Sequence, residues 1–224
     1  MSTPEDLVNW YLRLNGFMTI PNYILHPDRP GSQRTDTDVV GLRFPFRREF
    51  PGSDVDDPRL TVGLIKPSLV IVEVKTGAMK LNDAWIDPTK QNVEKLLECV
   101  GVFKTQSGID EAAGHLYQTG RYENDELICS FVLVGNYDSG SCSDTFRVPR
   151  LTWRHLNDFI YARFARFKRL KRQNDQWDYL GKALFSYATG RANKADFDSN
   201  VRQLCGLPAA EQPLAPDRPK TGSG

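Results

Sequence analysis

The most strand-like run in this chain is Ser68-Leu-Val-Ile-Val-Glu-Val74, and it is followed directly by Lys75. It is apolar at both alternating positions, which is typical of a central strand that is covered on both faces. Glu73 and Lys75 break this pattern, and the two-residue period of a strand places their side chains on one face. Unpaired charge is costly to bury, so both side chains require a partner. We therefore expect a functional site at the end of this strand.

A second predicted strand, from Thr37 to Phe46, carries Asp38 near its start. If the two strands are neighbours, Asp38 and Glu73 converge on one point. Like charges held that close repel each other unless a cation lies between them. Neither a histidine nor a thiol is nearby, so the oxygen-preferring ions Mg²⁺ and Mn²⁺ are the natural choice. We predict that Asp38, Glu73 and the backbone carbonyl of Val74 bind such an ion.

The residues around this predicted metal site suit the hydrolysis of a phosphodiester. A metal ion there would polarise a phosphodiester oxygen and lower the pKa of a bound water. Lys75 would then orient that water or stabilise the negative charge that develops on the phosphate. The three central residues of the predicted active site are therefore Asp38, Glu73 and Lys75.

The two motifs, Thr35-Asp-Thr-Asp-Val-Val-Gly41 and Ile71-Val-Glu-Val-Lys-Thr-Gly77, resemble those of the PD-(D/E)xK nuclease superfamily. That group includes many restriction endonucleases, and the form here is closest to the Mrr-like, nuclease-related-domain and Holliday-junction-resolvase-like branches. The resemblance covers roughly residues 4 to 135. It implies a restriction-endonuclease-like α/β fold, with a mixed central sheet flanked by helices. It also implies Mg²⁺- or Mn²⁺-dependent cleavage of DNA, in bacterial genome defence or DNA repair.

The resemblance also implies supporting roles for three further residues. Asp36 stands two residues before Asp38, where these branches carry an acid, and a turn or surface role is the alternative. Glu5 precedes a leucine-containing stretch and the pair Gly16-Phe17, as in the family's first helix. An acid in a first helical turn also complements the helix dipole without any catalysis. Gln91 would contact phosphate or the metal shell, although Lys95 stands where an exonuclease-type motif has tyrosine.

The remaining sequence predicts further helices and one more buried strand, all outside the motifs. The predicted elements are a helix beginning at Thr3-Pro4, a helix from Asp87 towards Phe103, a strand over Leu127–Val134, a helix over Leu151–Leu170 and a helix over Asp175–Ala188. We expect a nuclease-like core over residues 1–146 and a basic helical extension packed on that core over 147–207. Residues 208–224 are rich in proline and small polar residues, which predicts a disordered tail.

Charge is distributed unevenly along a chain whose formal net charge is only +1. Nine Lys or Arg residues lie between Arg147 and Arg172, against the single acid Asp158. Part of this charge forms the polar face opposite a helix's apolar stripe. Its excess over acids predicts contact with phosphates. The predicted nucleic-acid-binding residues are Arg154, Arg163, Arg166, Lys168, Arg169, Lys171 and Arg172.

Composition excludes several other classes of protein. No apolar run approaches the roughly 20 residues that cross a bilayer, and the first residues lack the pattern of a signal peptide. The four cysteines are scattered, which indicates reduced thiols rather than a zinc site or disulfides. We expect a cytoplasmic protein. The acids Asp54, Asp56 and Asp57 are expected in a solvated loop rather than in a second metal site.

Three alternatives stay open at this stage. The chain is a non-catalytic module that keeps the fold and binds nucleic acid or protein, or it cuts RNA or acts only within a larger complex. In the third alternative Glu73 and Lys75 form an ordinary exposed ion pair, and the protein is another α/β enzyme. A homodimer and a larger defence or repair complex are both compatible with the sequence.

Overall fold

The chain alternates strands and helices, and its structure, a computed structural model, describes residues 2–27, 34–49, 56–138, 146, 148–172, 177–191 and 193–209. Within these ranges the strands are β1 (Met18–Leu25), β2 (Thr35–Arg43), β3 (Ser68–Val74), β4 (Ala78–Met79), β5 (Arg121–Glu123), β6 (Ile128–Gly135), β7 (Tyr137–Asp138) and β8 (Arg150–Thr152). The helices are α1 (Pro4–Leu14), α2 (Pro58–Thr61), α3 (Asp83–Ile86), α4 (Asn92–Val100), α5 (Gln106–Thr119), α6 (Trp153–Arg166), α7 (Lys168–Lys171), α8 (Tyr179–Thr189) and α9 (Lys194–Leu204).

Six strands form one mixed sheet with the order β1-β2-β3-β6-β5, and β8 pairs with β6. β2 runs antiparallel to both β1 and β3, whereas β3, β6 and β8 are parallel to one another. The predicted mixed α/β class is therefore confirmed. Because parallel strands end at the same edge, the residues that follow β3, β6 and β8 meet there. β4 and β7 form a separate two-stranded sheet close to that edge.

Each face of the sheet is covered by its own group of helices. Val39, Val70 and Val72 lie on the face that packs against α1, α6, α8 and α9. Leu69 and Ile71 lie on the opposite face, which packs against α4 and α5. The alternation follows from the two-residue period of β3, which is buried along its whole length. The prediction of a central strand at 68–74 is confirmed.

Local signals set the ends of α1 as the sequence predicts. Thr3 caps the helix in a capping box: its hydroxyl accepts a hydrogen bond from the Asp6 N–H, and the Asp6 side chain accepts one from the Thr3 N–H at 2.9 Å. The helix ends before Asn15 and Gly16, and Gly16 has a φ of 82°. α1 is thereby fixed at the start of the sheet with Glu5 in its first turn.

Two predicted helices differ from the observed ones. The predicted helix from Asp87 towards Phe103 is divided, because Gln91 adopts a left-handed conformation with a φ of 52° between a 3-10 turn at Pro88–Lys90 and α4. The predicted helix over Leu151–Leu170 begins only at Trp153, since 150–152 pair with β6 as β8. It is interrupted at Phe167, whose backbone leaves the helical region.

Smaller differences concern the ends of elements and the parts outside the described ranges. The second strand was predicted to end at Phe46 but ends at Arg43, because the chain turns after that residue. The final predicted helix begins at Tyr179, capped by the Asp178 side chain, which accepts a hydrogen bond from the Gly181 N–H at 2.7 Å. The predicted tail lies outside the described residues from 210 onwards.

The helices of the C-terminal region share one apolar cluster with α1. The Trp10 indole N–H donates to Asp178 at 3.0 Å, and its ring lies against Phe164 and Trp177. Gly181 lets α8 approach this ring, since a Cβ there would lie 2.1 Å from it. No helix in the described ranges is long and apolar enough to cross a membrane. Three of the cysteines are free thiols, and Cys142 lies outside the described residues.

Candidate active site

The register of β2 and β3 brings the two predicted metal-binding acids together. Val39 pairs with Val72, so the next position along the antiparallel pair places Asp38 opposite Glu73. Side chains at opposing positions lie on the same face of a sheet. The Asp38 carboxylate also accepts a hydrogen bond from the backbone N–H of Val74 at 2.6 Å. Asp38 is thus held at the end of β3, beside Glu73.

Glu73 is a carboxylate in an apolar environment, with only 3% of its surface exposed. It follows Leu69 and Ile71 on one face of β3 and lies beside Leu133 of β6. Burial raises the pKa of Glu73 to about 7, although its hydrogen bond from the Lys75 ammonium acts to lower it. The negative charges of nearby acids, first among them Asp38, raise this pKa further. The site therefore favours added positive charge.

The pKa of Asp38 is affected by burial and by the other charges of the site. Burial raises its pKa, and the hydrogen bond from the Val74 N–H opposes that rise. The charges of Glu5 and Asp36 raise the pKa as well, whereas that of Lys75 lowers it. The charges of Glu5 and Asp36 therefore act on Asp38, and their role in the site stays a prediction.

The backbone of Lys75 is fixed from two sides. Its N–H donates to the carbonyl of Val134 at 2.9 Å, and its own carbonyl accepts from the Trp153 indole at 3.2 Å. The Lys75 side chain is 25% exposed, so its ammonium group reaches from the buried Glu73 towards solvent. Trp153 lies 78 residues from Lys75 in sequence, and no local pattern indicates that it supports the site.

The structure also describes Gln91 and the side chains that could bind a metal ion. Gln91 lies at the start of α4 and lines a polar cavity of about 550 Å³ to which neither Asp38 nor Glu73 contributes. The contact of Gln91 with phosphate or metal stays a prediction. Among the described residues, no group of three or more His, Cys, Asp or Glu side chains could hold a metal ion. The candidate donors are two carboxylates and the carbonyl of Val74.

Two of the predicted phosphate contacts belong to an internal ion-pair network. The side chain of Arg163 is only 1% exposed, and it pairs with Asp56 at 2.8 Å and with Glu49. Lys171 also pairs with Glu49, and Arg43 pairs with Asp56 at 2.8 Å. Arg163 lies next to Phe164 on the inner side of α6, where the apolar stripe buries it. Arg163 and Lys171 therefore stabilise the fold and do not lie on an open basic surface.

The other predicted basic residues are largely exposed, with Lys168 bonded to the carbonyl of Thr189. Those whose side chains reach solvent are Arg154, Arg166, Arg169 and Arg172. Arg154 lines a cavity of about 490 Å³ together with Asn136 and Thr152, which follow β6 and end β8. The Asn136 N–H donates to the Gly77 carbonyl at 2.7 Å, so one side of this cavity adjoins the segment that follows Lys75.

The expectation of a solvated acidic loop is wrong for two of its three residues. The Asp56 side chain is only 9% exposed and pairs with Arg43 at 2.8 Å. Asp57 is 3% exposed and accepts hydrogen bonds from the Tyr11 hydroxyl at 2.6 Å and from His155. Burial acts to raise the pKa of Asp57, but these hydrogen bonds outweigh it and hold the pKa below its usual range. Asp54 lies outside the described residues.

No protein-family model, no curated protein and no solved structure matches this chain. The fold and the site define a mixed α/β protein with paired carboxylates and a lysine at the end of its central strand. Function is therefore inferred from that geometry.

Proposed function

We propose that this chain is a metal-dependent nuclease that hydrolyses phosphodiester bonds in DNA, with a restriction-endonuclease-like fold of the PD-(D/E)xK class. The observation that carries the proposal is the pairing of Asp38 with Glu73 at the end of a buried strand, with Lys75 two residues further on. Two carboxylates in an apolar environment destabilise the fold unless positive charge compensates them. Such an arrangement is expected where a cation and a phosphate are bound.

The donor set suits Mg²⁺ or Mn²⁺. Mg²⁺ is usually held by one or two carboxylates and keeps water and substrate phosphate as its remaining ligands. Asp38 and Glu73 supply the two carboxylates, and Val74 supplies a backbone carbonyl at the end of β3. Neither histidine nor cysteine takes part, so a zinc site is disfavoured. When bound, the ion would supply the charge that polarises a phosphodiester and acidifies water.

The residues of the site have separable roles in this reaction. Asp38 is oriented by the Val74 N–H, and Glu73 is held by its apolar neighbours. A bound cation would compensate Glu73 in place of Lys75, and the Lys75 ammonium would be available to donate to the phosphate oxygen that gains negative charge. Glu5 and Asp36 add negative charge around Asp38 and strengthen the attraction for a cation.

The substrate would approach along the edge where β3, β6 and β8 end. The cavity lined by Arg154 lies at this edge, and the exposed Arg166, Arg169 and Arg172 follow along the same region of chain. Arginine side chains of this kind bind phosphates with little regard to sequence. A role in bacterial genome defence or DNA repair follows from the resemblance of the motifs and is part of this proposal.

One observation favours a second candidate function, that of a non-catalytic nucleic-acid-binding module. The Lys75 ammonium already pairs with Glu73, so the carboxylate has a partner without any metal. In this candidate the ion pair is structural and the exposed arginines alone are functional. RNA rather than DNA as the substrate is a variant of the nuclease proposal.

The direct test is cleavage of supercoiled plasmid, linear duplex DNA, single-stranded DNA and RNA in Mg²⁺, Mn²⁺ or EDTA. Asp38→Asn and Lys75→Met test the site, and Asp83→Asn, an exposed acid of α3, is the matched control. We expect cleavage that needs the metal, survives the control substitution and is lost in both site variants. Cleavage that persists in both site variants would refute the assignment. A wild type that binds nucleic acid but never cuts it would support the binding module instead.

A further inference from the structure

A second cavity, of about 520 Å³, opens along α6 on the side of Asp57. We call it the α6 groove because three of the residues that line it, His155, Phe159 and Arg166, belong to α6. Arg59 lines it as well. His155 and Arg166 are eleven residues apart in one helix, and a rise of 1.5 Å per residue separates their backbones by roughly 16 Å. That length exceeds a single phosphate and fits an extended ligand.

The three acids at the groove each have a side-chain partner. Asp57 is buried, the Asp56 side chain is only 9% exposed, and Asp158 is half-exposed at the boundary with the first cavity. Their partners are Arg43 and Arg163 for Asp56, Tyr11 and His155 for Asp57, and Lys194 for Asp158. Asp57 is therefore the one of these three acids that has no arginine or lysine partner within the described ranges.

The two arginines of the groove, unlike its acids, have no charged side-chain partner among the described residues. Within the part of the chain that the structure describes, the guanidinium groups of Arg59 and Arg166 pair with no acid, and both residues are exposed. Arg166 only approaches the ring of Phe167, with 5.6 Å between its guanidinium carbon and the ring centroid. Two unpaired arginines thus face the single carboxylate of Asp57, and the net excess of positive charge favours an anionic ligand.

An aromatic ring lies between the charged residues. Phe159 is half-buried, and its ring packs edge-on against Tyr11 with 5.2 Å between centroids. The guanidinium of Arg163 lies 5.1 Å from the Phe159 centroid on the protein side. These neighbours restrict the ring's position. Basic groups that follow a backbone, combined with an aromatic ring for a base, are the usual means of binding single-stranded nucleic acid.

We propose that the α6 groove binds a single-stranded segment of the nucleic-acid substrate. Phosphates lie against Arg59 and Arg166, and a base stacks on Phe159. His155, oriented through Nε2 by Asp57, offers Nδ1 to the sugar-phosphate backbone. This proposal rests on the proposed function, because it names the form of nucleic acid that the same protein holds. Asp158 lines both cavities, so a strand in the groove continues towards Arg154 and the sheet edge that carries Lys75.

The test is fluorescence anisotropy of a short fluorescein-labelled oligo(dT), measured in EDTA so that no cleavage occurs. Phe159→Leu removes the stacking ring but keeps an apolar side chain, and we expect binding to weaken about fivefold or more. Arg166→Gln changes an exposed residue, and we expect the slope of log affinity against log salt to fall by about 0.7. The matched control is Arg121→Gln, an exposed arginine of β5 that lines neither cavity, which leaves binding unchanged. A thermal melt of each variant verifies its fold.

Several outcomes would overturn the proposal. One is oligo(dT) binding by Phe159→Leu and Arg166→Gln that equals the wild type. Another is a tighter complex with a hairpin duplex of similar length, and a third is competition by inorganic phosphate as strong as that by the oligonucleotide. The Lys75→Met variant separates this proposal from the nuclease proposal. Loss of cleavage in that variant, together with groove variants that bind normally, leaves the nuclease standing and refutes the groove.

Discussion

Replacing Glu73 with glutamine should stabilise the metal-free protein at alkaline pH. The Glu73 carboxyl has a pKa of about 7 in the folded protein, against an ordinary value of 4.5, chiefly because it is buried. The folded state therefore binds this proton more tightly than the unfolded state does. Stability from this group is greatest below about pH 4.5 and declines as the pH rises through about 7. Glutamine keeps the shape of the side chain and removes the titration.

The expected magnitude follows from that difference in pKa. At about 1.4 kcal/mol per pKa unit, ionised Glu73 destabilises the fold by about 3 kcal/mol at pH 8. Glu73→Gln should recover most of this free energy, which corresponds to a rise in Tm of roughly 6 to 12 °C for a chain of this size. The difference between variant and wild type should shrink as the pH falls towards 5.

The assay is thermal or urea unfolding of both proteins in EDTA at several pH values between 5 and 8. Glu98→Gln is the matched control, since it makes the same change at an exposed position of α4 and should shift stability by less than about 0.5 kcal/mol. A stability difference between wild type and Glu73→Gln that does not vary with pH would refute the reasoning. So would a Glu73→Gln protein that is less stable than the wild type at pH 8.

Three further substitutions test the packing around the site. Arg163→Ala removes one cationic partner from Asp56 and one from Glu49, which keep Arg43 and Lys171, and it should cost about 1.5 to 3 kcal/mol in urea unfolding. The exposed Arg166→Ala should cost less than about 0.5 kcal/mol, and equal costs would contradict the ion-pair network. Gly181→Ala places a Cβ 2.1 Å from an indole ring and should cost about 1 to 3 kcal/mol. The control Gly114→Ala meets nothing within 4 Å and should gain up to about 1 kcal/mol, so a tolerated Gly181→Ala would refute the close approach of α8. Trp153→Phe removes the hydrogen bond from the indole to the Lys75 carbonyl. It should lower the cleavage rate, and it should lower the free energy of unfolding by about 0.5 to 1.5 kcal/mol. An unchanged cleavage rate would show that Trp153 does not position the Lys75 backbone.

The central strand and its carboxylate pair were predictable because they depend on local patterns. The apolar run at 68–74 indicated a strand with both faces covered, and Glu73 interrupted it at its end. Only one further assumption, that the strand carrying Asp38 is a neighbour, was needed to place the two acids together. The observed register agrees with that assumption.

Long-range pairing accounts for the predictions that were wrong. Arg163 appeared to lie on a basic surface, but its acid partners are more than a hundred residues away in sequence. The strand β8 is only three residues long and forms through its pairing with β6. Its residues continue the helical spacing of α6, so the predicted helix wrongly included them. Helix α5 was missed although it has a threonine cap at Thr105 and a glycine end at Gly120, and those local signals could have identified it.

The central claim is that Asp38 and Glu73 together form a site for a divalent cation. Calorimetric titration of Mn²⁺ into the wild type, Asp38→Asn, Glu73→Gln and the control Asp83→Asn tests it most directly. We predict one Mn²⁺ site in the wild type and in the control, and its loss in both site variants. Mn²⁺ binding that is unchanged in Asp38→Asn and Glu73→Gln, or absent from the wild type, would contradict the claim.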